Sequence, residues 1–150
     1  MIILRYNNAA QLSDIVRDGG NIQTSDLLET AVLISLFTRQ RAREDDVLPD
    51  SRSGNREGWW ADAYSEIEDN NIGSRLWFLS REKLTTNTLN RAKTYSAEAL
   101  QWLIDDGIAD AVDVETERQG SMLAIGVSIT KPGNPASKWQ AVWAAHLAEL

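Results

Sequence analysis

The sequence predicts an α+β fold: two principal helices packed on a small, mainly antiparallel sheet, with a β-hairpin toward the C-terminus. Three observations carry this prediction. Residues 24–42, "TSDLLETAVLISLFTRQRA", hold one long apolar segment at helical spacing. Residues 87–106, "NTLNRAKTYSAEALQWLIDD", set Leu89, Ala92, Ser96, Ala99, Leu100 and Leu103 on one helical face. After Gly107 the period drops to two, the signature of a strand with one buried side.

The N-terminus reads as a small hairpin or meander. "IILRY" at 2–6 and "DIVR" at 14–17 are short β-prone pieces, and "DGGN" at 18–21 is a two-glycine turn before "IQT". The first helix is expected over residues 25–42. Asp26 with Glu29 three positions on forms a capping box, and Thr24 or Ser25 serves equally as the cap. This segment is apolar around much of its circumference, as a buried helix is. Arg39, Arg41 and Arg43 follow in its last turn and beyond, the end of the dipole that favours cations.

Residues 43–58 are expected to be a flexible loop, because Pro49, Gly54 and Gly58 stop a helix and the mixed charges do not support a strand. A second loop through Asn70, Asn71 and Gly73 leads to a short apolar turn, Leu76 to Leu79. Thr85 or Thr86 caps the second helix, and Gly107 supplies its C′ position. Asp105 and Asp106 sit at the wrong end of that helix for its dipole, which points to something cationic facing them. The hairpin alternates Val112 and Val114 with Asp113 and Glu115, turns near Gln119-Gly120, and returns with Leu123, Ile125, Val127 and Ile129 on one face. The tail, "SKWQAVWAAHLAEL", fits a helix through Trp139, Val142, Trp143, His146, Leu147 and Leu150, and a strand through Trp139, Ala141 and Trp143. Periodicity leaves both open.

Bulk numbers narrow the function classes. A chain of 150 residues is expected to fold as a single domain over 1–150. No apolar run is long enough for a transmembrane helix, and "MIILRYNNAAQLSD" lacks the basic region of a signal peptide. With no cysteine, disulfides and thiolate metal sites are excluded, and folding in a cytoplasm is expected. Fifteen basic against twenty-two acidic side chains give a net charge of −7, which repels phosphate backbones and makes nucleic acid a poor partner. Six tryptophans, Trp59, Trp60, Trp77, Trp102, Trp139 and Trp143, either pack a core or anchor a partner.

Chemistry is sparse. No phosphate-binding loop, dinucleotide turn, H-E-x-x-H or G-x-S-x-G pattern occurs, and "DNNIG" lacks the ligand spacing of a calcium loop. No cofactor or metal is expected. His146 is the one histidine, so a triad would have to be built on it. Glu44, Asp45, Asp46, Glu57, Asp62 and Glu66 lie near aromatic residues, as the carboxylates of a sugar cleft do. A glycosidase needs two of them at a set separation with one in an apolar pocket, a geometry that sequence does not supply.

The chain resembles the baseplate wedge proteins of Mu-like phages and prophages, akin to the smaller wedge components of other contractile tails. The resemblance runs through "DIVRDGGNIQTSDLLETAVLISLFTRQRA" at 14–42, "DDVLP" at 45–49 and "GWWADAY" at 58–64. It continues through "IGSRLWFLSREKL" at 72–84 and "AEALQWLIDDGIA" at 97–109. The wider wedge family carries a Glu-Pro-Arg triplet, whereas the three prolines here follow Leu48, Lys131 and Asn134, so the likeness is to the Mu-like branch. It implies helices over a small sheet, a fold sometimes described as lysozyme-like. It also implies a structural subunit of a virion tail baseplate, made in the host cytoplasm and packed against other wedge proteins, the hub and the spike. A lysozyme-like fold does not bring active-site carboxylates with it. The alternatives are a peptidoglycan-cleaving tail enzyme and a prophage adaptor that binds a host protein. On the structural reading, Trp59, Trp60, Arg75, Trp77, Arg39 and Arg41 are the candidate interface residues, with no catalytic residue.

Overall fold

The structure is a computed structural model, and it describes residues 4–7, 12–15, 17–18, 21–22, 27–50, 52, 54–59, 62, 72–131, 133 and 137–143. Its elements run β1 (Leu4–Asn7), β2 (Leu12–Ile15), β3 (Arg17–Asp18), β4 (Asn21–Ile22), α1 (Leu27–Phe37), a 3-10 turn (Leu76–Leu79), α2 (Thr86–Leu100), α3 (Trp102–Asp105), β5 (Ala111–Gln119), β6 (Met122–Thr130) and β7 (Ser137–Trp143). The class is α+β, as the periodicities predict.

The N-terminal strands pair as two small antiparallel hairpins, β1 with β2 and β3 with β4. In the second, Arg17 stands opposite Ile22 and Asp18 opposite Asn21. The larger sheet has the order β5-β6-β7, antiparallel throughout. β5 and β6 meet through a two-residue turn, Gly120-Ser121, with Gln119 opposite Met122. Gly120 has φ +65° at the first central position, where a II′ hairpin turn needs a residue with no Cβ penalty. The open choice in the tail resolves to strand for residues 137–143, with Trp139 opposite Val127 and Trp143 opposite Leu123. His146 and the rest of the tail lie outside the described residues.

Register explains the core. Val112 pairs with Ile129, Val114 with Val127, and Thr116 with Ile125, so these side chains share one face. Leu123, Ile125, Val127 and Ile129 are buried there, while Asp113, Glu115 and Glu117 point outward and are exposed. α2 packs against β5 along a buried i, i+4 stripe, Thr88, Ala92, Ser96 and Leu100. Ala92 and Ser96 are fully buried, and small side chains at the middle of the stripe let helix and strand approach closely. Leu28, Val32 and Leu36 of α1 and Leu76 and Leu79 of the 3-10 turn complete the same cluster. Each such leucine gives about 1.5–3 kcal/mol on leaving water.

The ends of α2 follow local chemistry. Thr85 is the N-cap, its side chain accepting the Thr88 N–H at 3.2 Å. The expected single helix to residue 106 tightens instead at Gln101, whose N–H donates to Glu98 O, and continues as α3. α3 ends in a Schellman motif, with Gly107 N–H on Ile104 O and Ile108 N–H on Leu103 O, each at 2.9 Å. Gly107 has the required positive φ, +69°.

α1 corrects the expected span of 25–42. Its proposed capping residues, 24–26, lie outside the described residues, but its C-terminus is clear: the helix stops at Phe37. The cause is the return of the chain at residues 73–74. Ser74 N–H donates to Thr38 O at 2.9 Å, Gln40 N–H donates to Ser74 O at 3.0 Å, and Ser74 Oγ donates to Leu36 O at 2.5 Å. These bonds satisfy carbonyls that a helix end leaves open and hold residues 38–40 extended beside 74. Arg39, Arg41 and Arg43 therefore lie past the helix, and none occupies its last turn.

Two substitutions test this packing. A Cβ at Gly73 would lie 2.4 Å from Thr38 O at φ +105°, so Gly73→Ala is expected to destabilise by about 2–4 kcal/mol in a denaturant titration. Ser96 Oγ is buried with no hydrogen-bond partner, so Ser96→Ala should raise Tm by about 2–4 °C.

Candidate protein interface

The seam at Ser74 positions everything in the candidate site. Beyond it, residues 41–50 and 54–59 form loop segments fastened to one another. Ala42 N–H donates to Arg56 O at 2.9 Å, and Arg56 donates back to Arg43 O and, at 3.1 Å, to Glu44 O. Arg43 and Asp46 close a turn on each other: Asp46 N–H reaches Arg43 O at 3.2 Å, and Arg43 N–H reaches Asp46 Oδ2 at 2.8 Å. Gly58, at φ +109°, lets the two arms of the loop lie side by side, because a Cβ there would stand 2.8 Å from Arg41 Cβ.

Arg75 clamps this loop to α2. Its guanidinium donates to Asp46 Oδ1 at 3.1 Å and to Glu98, and it stacks 4.7 Å from the centroid of the Tyr95 ring. Arg91 covers Tyr95 as well, at 5.6 Å, donates to the Tyr95 hydroxyl at 3.1 Å and pairs with Glu82. Only 12% of the Arg75 side chain is exposed. Burial works against its charge, but the hydrogen bond and charge of Glu98, then the charge of Asp46, outweigh that and hold its pKa above the ordinary arginine value. A raised pKa on a cation means its stabilisation is complete below the unfolded value and is lost only as pH rises through the folded one. The arginine side of the clamp therefore does not switch near neutrality. Arg75 Nε is buried without a partner, a desolvation penalty that offsets part of the gain.

A cleft of about 310 Å³ opens between the loop and the 3-10 turn, walled by Pro49, Asp50, Glu57, Arg39, Arg81 and Trp77. Arg39 binds both oxygens of Glu57 at 2.7 Å, and Arg81 pairs with Asp50 at 3.2 Å. Both carboxylates are thus salt-bridged, the opposite of the apolar setting that a glycosidase acid needs. Among the remaining carboxylates singled out from the sequence, Asp46 serves the clamp and Asp62 accepts the Ile72 N–H at 3.2 Å. Glu44 and Asp45 are exposed, and Glu66 lies outside the described residues. Among the described residues no cluster of three or more His, Asp or Glu could hold a metal ion, and no helix is long and apolar enough to cross a membrane.

The sequence-predicted interface residues divide into two groups. Trp77 is half-buried, its Nε1–H on Gln40 O at 2.9 Å and its ring edge-on to Phe78 at 4.5 Å, and Arg75 is committed to the clamp. Trp59 is 44% exposed, and Arg39 and Arg41 are exposed. Trp60 lies outside the described residues. The other tryptophans also separate: Trp102 ties α3 to α1 through Nε1–H to Ser35 Oγ at 3.0 Å, and the side chains of Trp139 and Trp143 lie outside the described part. Sequence reasoning missed Tyr95 and Glu98, and singled out Asp46 only as a carboxylate near aromatic residues. The i, i+4 and i, i+3 spacing of Arg91, Tyr95 and Glu98 was the available signal for a shared helix face.

Comparison with known proteins adds to this geometry. The family model described as "Phage protein GP46" matches residues 28–136. The chain is 49% identical over 121 residues to the "Baseplate protein gp46" of Escherichia phage Mu, covering 79% of this chain and 80% of that one. It is 36% identical over 120 residues to the "Mu-like prophage FluMu protein gp46" of Haemophilus influenzae, covering 79% of each.

The clamp predicts a measurable coupling. Arg75→Ala should destabilise by about 2 kcal/mol, because it strands a part-buried Asp46. In a double-mutant cycle Arg75→Ala and Asp46→Ala should be non-additive by about 1 kcal/mol.

Proposed function

This chain belongs to the phage protein GP46 family, and on that premise we propose that it is a structural subunit of a contractile tail baseplate. Identity to the Mu baseplate protein across about four-fifths of both chains carries the reading. Its mechanism is geometric. A loop pinned by Arg75 and Arg56 presents Trp59, with Trp60 beside it in sequence, and the exposed Arg39 and Arg41 to a neighbouring subunit. The pinning is useful because a preordered loop loses less entropy on docking. Large aromatic area supplies adhesion, and charge fixes orientation.

The partners on this reading are other wedge proteins, the hub and the spike, met in the virion tail after folding in the host cytoplasm. The chain's net charge of −7 favours basic patches on those neighbours and disfavours nucleic acid. No covalent step is assigned to the chain, since the carboxylates of its loop-side cleft are occupied by arginines. Contacts between subunits of this kind hold until contraction exchanges them for others.

Three experiments check the proposal. Trp59→Ala with Trp60→Ala should keep Tm within about 2 °C of wild type and lower baseplate incorporation about tenfold; a large fall in Tm would assign the pair to the chain's own core. Assembly should weaken from low to high salt, and purified protein should leave peptidoglycan intact in zymograms. Clearing that disappears on neutralising one carboxylate would establish a lytic enzyme instead.

A further inference from the structure

The carboxylates at the end of the second helical segment are not explained by the Trp59 face. Asp105 and Asp106 stand in the last turn, where the helix dipole is already negative. The Schellman motif fixes the backbone there and sends the side chains two ways. Leu103 and Ala109 enter the core, while Ile104 and Ile108 remain 36% and 39% exposed. They are two of the four exposed large hydrophobic residues among those described, and they flank one rigid turn.

The charges beside them in sequence are acidic, and Lys131, next to the Thr130 whose carbonyl accepts the Asp110 N–H, forms no ion pair with them. Asp105, Asp106 and Asp110 are exposed, and Asp105 receives only the Gln101 side-chain amide, at 3.0 Å. No described lysine or arginine forms an ion pair with any of the three. The chain itself has no basic residue from 94 to 117. An apolar pair within an unneutralised acidic rim specifies its occupant by complementarity: apolar contact at the centre, cations at the edge.

We propose that Ile104 and Ile108 anchor a lysine- or arginine-bearing segment of a neighbouring baseplate protein, whose cations face Asp105, Asp106 and Asp110. This rests on the baseplate reading and names the chemistry of a partner at a surface built from residues other than those around Trp59. The carboxylates repel the helix end in the isolated chain, and a docked cation relieves that repulsion. Stability and assembly should therefore move in opposite directions when the charges are removed.

The test uses two double variants of the full chain, Asp105→Asn with Asp106→Asn, and Ile104→Ser with Ile108→Ser. Tm is measured on purified protein, and incorporation is measured in tails purified from phage assembled with each variant. The asparagine pair should raise Tm by about 1–3 °C, lower incorporation about tenfold and flatten its salt dependence. The serine pair should leave Tm within about 2 °C and lower incorporation as well. Normal incorporation of both pairs, with the wild-type chain present in tails, overturns the docking surface and leaves the baseplate reading standing. A fall in Tm for the asparagine pair also overturns it, by assigning the carboxylates to the fold. Absence of the wild-type chain from tails overturns the baseplate reading itself.

Discussion

The pairing of residues 38–40 with Ser74 is the constraint on which the loop side of the molecule depends. It ends α1 at Phe37, starts the loop in a fixed direction and delivers Arg75 and the 3-10 turn to their places. Gly73 makes the approach possible, since any side chain there meets the Thr38 carbonyl. A seam of this kind has few alternatives, because the backbone groups of Thr38, Gln40 and Ser74 have found partners and exchanging one would leave another unpaired.

From that seam the structure builds outward in two styles of interaction. Toward the sheet it is apolar, with small residues on α2 meeting β5 and leucines of α1 and the 3-10 turn filling behind. Toward the loop it is ionic and aromatic, with Arg75 held between Asp46, Glu98 and the Tyr95 face. The first style supplies most of the stability, as buried area does. The second fixes where the loop sits. Loop geometry is what an assembly protein has to control, because a neighbour reads position before it gains adhesion.

A family shared with baseplate proteins fits a chain that uses several of its arginines to hold its own loop. The arginines that look available from sequence divide sharply once placed. Arg75 and Arg56 serve the fold, Arg39 and Arg81 close over carboxylates at the cleft, and Arg41 remains on the surface. The opposite end of the chain's chemistry, the aspartates after Leu103, has no such internal partner among the described residues.

Periodicity and turn chemistry by themselves determined the α+β class, a second helical segment with a threonine cap at 85 or 86 and a stop at Gly107, and the hairpin whose buried face is Leu123, Ile125, Val127 and Ile129. Those are short-range effects, readable wherever neighbouring residues alone decide the outcome. Three matters needed the tertiary structure. The end of α1 at Phe37 was decided by Ser74, thirty-seven positions away, against a local pattern that runs on to residue 42. The strand in the tail was decided by the free edge of β6, which offered hydrogen bonds that a short Trp-rich segment could use as readily as its own helix. The roles of the arginines and tryptophans were decided by burial and by partners distant in sequence. A charge or a ring carries no local mark of whether it will face a carboxylate inside the molecule or a surface outside it.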